Sequence, residues 1–314
     1  MATRITIARS WQELESLRPL WEDLYSVDFG ATFFQSYQWN LAAARNFTGR
    51  EEPFVVAIEN ESGAAIIPTC IAGERLKFLG DELFDYPGAL YAGDPKCAQA
   101  ALGELARLRL SMEVHGLRTT NSPWADLPTE PFSGAPYVER GLSTDEFIHR
   151  HTRSARQLRR LQRMGVRPRR YAAGHRALVN FIYLAKGKHE NSLFRDPLRR
   201  AFMEEIALCD AVETEIFTLE TASALVAAIV TFRDRDVRRF YTTYFSEAWS
   251  RYSPGAALLF RATECSLAEG LACDYMTGEH SYKLRLATGI VPLYRLPRIR
   301  LDHFYAEREL ALAG

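Results

Sequence analysis

The stretch that most restricts the fold is Arg251–Gly270, RYSPGAALLFRATECSLAEG, which follows shortly after the strand-like RRFYTTYF. Ser253 reads as an N-cap, Pro254 suits the first helical position, and Gly255 and Ala256 keep the first turn free of bulk. Apolar residues recur at Ala257, Leu258, Phe260, Ala262, Cys265, Leu267 and Ala268, the spacing of a helix packed on a sheet. The open N–H groups of such a first turn attract anions, phosphate above all. A plain capped helix with no ligand fits the same stretch, so the remainder of the chain has to decide between the two.

A chain of 314 residues makes one large or two medium domains, and a hydrophobic share of 47% is enough for a sizeable core. Lys+Arg and Asp+Glu both number 39, so no global charge argues for nucleic acid or an anionic membrane. The five cysteines show no CxxC spacing and stand near no histidine cluster, which argues against a zinc site and a disulfide framework. The opening MATRITIARSW has no apolar signal core, and no run of the sequence is apolar enough to span a bilayer. The expected location is the cytoplasm.

Along the chain, RITIARS reads as a strand, followed by an amphipathic helix that Ser10 caps and that runs through WQELESLRPLWEDLYSV. A second helix, capped by Ser36, lies in FFQSYQWNLAAARNF; two strands flank the turn NESG, and a third short strand follows. LFDYPGALY is a loop, DPKCAQAALGELARL a helix and LSMEVHGL a strand. From Thr144 one helix carries Arg150, Arg153, Arg156, Arg159, Arg160 and Arg163, several of them on one face. Two helices, ALVNFIYLAKGKHEN and PLRRAFMEEIALCD, then precede three strands, the helix after Ser253 and the strand LACDYMTG. Both halves thus follow one order: strand, two helices, antiparallel meander, helix, strand. The expected domains are 1–140 and 141–314.

Three strands feeding a helix with a small-residue first turn, and a strand after it, match the core of the GCN5-related N-acetyltransferase (GNAT) fold. WSRYSPGAALLFRATECSLAEGLACDYMTGEHSYKLRLA resembles the CelD/BcsL-type, or BioF2-like, acetyltransferases of that superfamily. FFQSYQW, FLGDELFDYPG, RQLRRLQRMG and the region of His189 agree, so the resemblance spans nearly the whole chain. A more distant resemblance is to the Fem-type aminoacyltransferases. The resemblance implies an α+β fold of two tandem GNAT-like domains, each a mixed, mostly antiparallel sheet flanked by helices. It implies acetyl-CoA as co-substrate, held at Arg251, Ser253, Gly255, Ala256 and Ala257, although RYSPGAA matches the usual phosphate turn only loosely. No metal is implied.

The chemistry then falls to GEHSYKLRL. Acylating an amine takes a base for the ammonium proton, donors for the carbonyl oxygen and an acid for the leaving thiolate. Glu279 or His280 is the base candidate, Tyr282 the acid, and Lys283 the cation for an oxyanion or an anionic substrate. His189, Asp85, Tyr86 and Arg156 are placed at the acceptor, in a cleft between the domains. The arginine helix suits contact with a phosphate or carboxylate; it lacks the interleaved aromatics of a nucleic-acid surface. The activity expected is acyl-CoA-dependent N-acylation of a small amine or amino sugar, a small-molecule acceptor, with polysaccharide biosynthesis as the context. A Fem-like transfer from charged tRNA and a non-catalytic binding protein on the same scaffold are the alternatives. Oligomeric state is left open.

Overall fold

Pro19 breaks the long helix expected after Ser10. In the computed structural model, which describes residues 3–303 apart from 81, 119–123, 125–126 and 173, strand β1 (Arg4–Ala8) leads into helix α1 (Trp11–Ser16). The Ser10 hydroxyl caps α1 by accepting from the Glu13 N–H at 3.3 Å. Helix α2 (Arg18–Val27) then starts afresh with proline in its first turn, since proline has no N–H to continue the ladder. Helix α3 (Tyr37–Asn46) is capped by Ser36, which accepts from the Trp39 N–H at 3.2 Å; Phe33–Gln35 ahead of it forms a separate 3-10 turn. Strands β2 (Glu52–Asn60) and β3 (Gly63–Ala72) make the expected hairpin. After them come β4 (Arg75–Phe78), β5 (Leu90–Gly93), α4 (Lys96–Ala106) and β6 (Ser111–Leu117).

The remaining elements are β7 (Glu130–Val138), α5 (Thr144–Arg150), α6 (Thr152–Arg163), β8 (Arg167–Ala172), α7 (Arg176–Gly187), α8 (Pro197–Leu208) and β9 (Glu213–Glu220). They are followed by β10 (Leu225–Asp234), β11 (Val237–Phe245), α9 (Pro254–Ala268), β12 (Ala272–Asp274), α10 (Ser281–Leu284) and β13 (Gly289–Arg300). The single basic helix expected from Thr144 is two helices. His151 leaves helical geometry at φ −116°, ψ 39°, and the arginines from 153 onward all belong to α6.

The described residues separate into two compact units, one drawn from Met1–Ser133 and Pro292–Gly314, the other Gly134–Val291. This division differs from the expected cut at residue 140. Tyr137 and Val138 pair with Asp274 and Cys273 of β12, which ties this end of β7 to the second unit. The chain from Pro292 returns to the first, where Tyr294–Arg300 pair with β6. In the first unit the strands run β1-β2-β3-β4-β6-β13 with β5 on β3, antiparallel except for β4 beside β6. Helix α4 covers it, burying Ala101, Leu102 and Leu105 with Phe54, Val56 and Ile67.

The second unit is ordered β7-β12-β11-β10-β9-β8. Its pairs are antiparallel apart from β11 and β12, which are parallel because α9 carries the chain across between them. Ala257, Leu258, Leu259, Phe260 and Ala262 of α9 are buried on the sheet. Phe147 of α5 stacks on Phe260 with centroids 5.4 Å apart; burying each ring contributes roughly 1.5–3 kcal/mol. Both units are therefore mixed, mostly antiparallel sheets flanked by helices.

Two features of this sheet set up the site. Pairing of β10 with β11 skips Tyr241, since Val230 faces Thr242 and Thr231 faces Phe240; the bulge bends β11 and re-aims its side chains. At the end of β12, the buried Arg239 guanidinium donates to Asp234 (2.5 and 3.0 Å) and to Asp274 (2.5 Å). The other Asp274 oxygen accepts from the Met276 N–H at 2.8 Å. Met276 sits at φ +62°, which ends the strand expected to run on through MTG.

Candidate active site

The turn into α9 is held from its carbonyl side. Ser253 is left-handed (φ 44°, ψ 55°) and its side chain makes no capping bond, so the expected serine N-cap is not formed. Gln157 of α6 does the holding instead: its amide donates to the carbonyls of Tyr252 (2.6 Å) and Ser253 (3.1 Å). Pro254 occupies the first turn, and the Ala257 N–H bonds back to the Ser253 carbonyl at 3.3 Å. Gly255 and Ala256 stand between them, at positions where a helix supplies no carbonyl for the N–H.

These two residues face a cleft of about 510 Å³, lined by Tyr241, Thr243 and Phe245 of β11, by Ser250 and Ser253, and by Tyr282, Lys283 and Arg285. Lys186 of α7 also lines it. A second recess of about 810 Å³ is lined by Arg150, Arg153, Arg156, Arg160 and Arg163, with Arg251 and Arg285 opposite. Ser253, Ala256, Tyr282 and Arg285 line both, so the two recesses meet at the first turn of α9. No carboxylate side chain lines either among the described residues. The Tyr252 ring carries the guanidinium groups of Arg251 (4.7 Å) and Arg160 (5.2 Å), which fixes both at the rim. Burial, then the neighbouring Arg150 charge, holds His151 below the usual histidine range. The histidine therefore favours its neutral form beside the arginines.

The expected residues fall into distinct places. Tyr282 is half-buried between the two recesses, and burial raises its hydroxyl above the ordinary tyrosine range. Lys283 lines the cleft, with Nζ donating to the carbonyls of Thr277 (2.8 Å) and Met276 (3.3 Å). It is thus a brace of the turn after β12 as well as a cleft cation. Arg251 and Arg156 line the arginine recess, where Arg156 is exposed and its Nε reaches the Thr152 carbonyl at 3.4 Å. Gly255 and Ala256 line the cleft, whereas the Ala257 side chain is buried in the core.

Others are not brought there. Glu279 is exposed, with its carboxylate 2.8 Å from where a side chain on Gly134 would begin, and lines neither recess. His280 is exposed and stacks on Tyr282 at 5.9 Å. His189 lines a separate hollow with Phe181, Arg200 and Tyr244, which shares only Phe245 with the cleft. Tyr86, expected at the acceptor, is a buried core residue of the first unit. Its ring packs edge-on to Phe34 and under the Arg118 guanidinium at 4.1 Å, so it has no open face. Asp85 is half-buried, and its carbonyl lies against Gly116. That glycine has φ +84° and would place a Cβ only 2.2 Å from the oxygen, so no other residue fits.

Lys186, Gln157, Tyr241 and Arg285 were not singled out from the sequence. Only Lys186 leaves a signal there. It continues the buried stripe Val179, Ile182, Tyr183, a position where an apolar residue is expected. Among the described residues no group of acidic, histidine or cysteine side chains could hold a metal, and no helix is long and apolar enough to cross a membrane.

Residues 149–284 match the family model of the acetyltransferase (GNAT) domain. No curated protein matches the chain. Among solved structures, FemX is similar over 98% of this chain and 99% of its own, with a TM-score of 0.62 at 8% identity. The L-PGS structure from Bacillus licheniformis aligns over 93% of this chain and 92% of its own (TM-score 0.59, 13% identity). A tandem GNAT protein from the clavulanic acid biosynthesis pathway aligns over 93% and 98% (TM-score 0.53, 8% identity). The chain therefore carries a GNAT-type acyltransferase fold, and β11, α9 and β12 form the part that holds the candidate site. The finer CelD/BcsL resemblance is not part of this result.

Proposed function

We propose that the chain is an acyl-CoA-dependent N-acyltransferase acting on a small amine. The observation that carries this reading is the junction of two acid-free recesses at the bare first turn of α9. Coenzyme A is a polyanion with phosphates at one end and an acyl thioester at the other. The N–H groups of Gly255 and Ala256 suit its pyrophosphate, and the arginines of α6 with Arg251 suit its remaining phosphate. Bound there, it supplies an acyl group activated as a thioester. Tyr282, between the recesses, is placed to protonate a departing thiolate, and burial raises its pKa so that the hydroxyl carries its proton at neutral pH. The Lys283 ammonium favours negative charge developing on the acyl oxygen.

Aminoacyl-tRNA is the second donor to consider, because the same arginine stripe suits a nucleic-acid backbone. An amino sugar is the acceptor that the resemblance favours, in a cytoplasmic setting.

Gly255→Asp tests the donor reading. A Cβ at Gly255 meets only Thr243 and Phe245, at the ordinary distances of 3.6 and 3.7 Å, so the variant is expected to fold. Its carboxylate would stand where the pyrophosphate approaches. Acetyl-CoA affinity measured by calorimetry is expected to fall at least tenfold, about 1.4 kcal/mol. Unchanged affinity in the folded variant would move the donor site elsewhere.

A further inference from the structure

The cleft contains a cation with no counterion among the described residues. Lys186 is half-buried, lines the cleft beside Tyr241, and makes no side-chain hydrogen bond or ion pair with any described residue. The other charged groups lining the cleft are Lys283 and Arg285, both cations. Buried charges are ordinarily paired, because desolvation is otherwise uncompensated. Burial accordingly pulls the Lys186 ammonium below the usual lysine range. The α9 turn proposed for the pyrophosphate lines this cleft too, but there the N–H groups of Gly255 and Ala256 serve the donor, whereas Lys186 reaches the cleft from α7.

We infer that Lys186 pairs with an anionic group carried by the acceptor, which is therefore a small amine that also bears a carboxylate or a phosphate. This rests on the reading of the chain as an N-acyltransferase. A plain ammonium ion is repelled by Lys186 and by Arg285 in the cleft lining. An amine anchored by its own anionic group overcomes that repulsion. The same positive field favours the free amine, which is the nucleophile, so no carboxylate base is needed in the lining.

Two matched pairs of probes test this: glucosamine 6-phosphate with glucosamine, and alanine with alaninamide. Binding is read by calorimetry without donor, and transfer by release of coenzyme A thiol from acetyl-CoA. At least one acidic probe is expected to bind and to turn over ten times better than its neutral partner, and the pair that responds tells phosphate from carboxylate. Lys186→Met is expected to abolish that preference and Lys186→Arg to keep it. Lys186→Met is also expected to raise the melting temperature at neutral pH. The cost of a depressed lysine builds as pH falls from its unfolded value toward its folded value and is fully present below that, and methionine removes it. A purely structural lysine would give the reverse.

Equal binding of both members in both pairs, or a preference that survives Lys186→Met, overturns the inference. If acetyl-CoA fails to bind while the acidic probe still binds through Lys186, the anion site stands and the donor assignment falls.

Discussion

Lys283→Met is expected to lower kcat/KM for acetyl transfer by roughly a hundredfold, the scale of losing one oxyanion donor. The change keeps the chain length and most of the packing but removes the charge from the cleft. The effect should fall mainly on kcat, because the charge on the acyl oxygen exists only in the transition state. The structure adds a second consequence. Lys283 Nζ also holds the carbonyls of Thr277 at 2.8 Å and Met276 at 3.3 Å, so the variant should lose about 1 kcal/mol of stability as well. Steady-state kinetics and thermal unfolding of the same preparation separate the two. Near-normal kcat with a lowered melting temperature would make Lys283 a brace and nothing more.

Arg239→Met is expected to cost about 3–5 kcal/mol of folding stability, the penalty for removing the guanidinium from a buried ion group. Asp234 and Asp274 would remain, both nearly inaccessible, without the guanidinium that bridges them at 2.5 Å on either side. The loss should also reach the cleft, since Asp274 sets the Met276 turn and the Met276 carbonyl receives Lys283. Chemical denaturation measures the first effect and turnover at low temperature the second. A variant as stable as the parent would show that the buried ion group is dispensable.

Much of the second unit was legible in the sequence because its signals are local. Pro254 with the small residues after it announced the first turn of α9, and the strand before it and the strand after it set the crossover. Ser253 was misread as a side-chain cap. What holds that turn is Gln157, 96 residues earlier, and a partner at such a distance leaves no spacing to read. Tyr86 and Asp85 belong to the stretch that carries the resemblance, FLGDELFDYPG; in the fold, Phe34 and Arg118 pack on the Tyr86 ring and the Asp85 carbonyl lies against Gly116. Glu279 stands four residues from Lys283, yet the turn after β12 leaves it exposed beside Gly134. Lys186 escaped notice because only packing shows that a lysine on an apolar stripe opens into a cleft and not into solvent.

The most direct test of the donor site is titration of acetyl-CoA into the unmodified protein at low and at raised salt, with aminoacyl-tRNA titrated in parallel. The expected result is one acetyl-CoA bound per chain, weakening as salt screens the arginines of α6, with no competition from aminoacyl-tRNA. A folded protein that gives no heat with acetyl-CoA but binds aminoacyl-tRNA would contradict it, and would assign the arginine recess to a nucleic-acid donor.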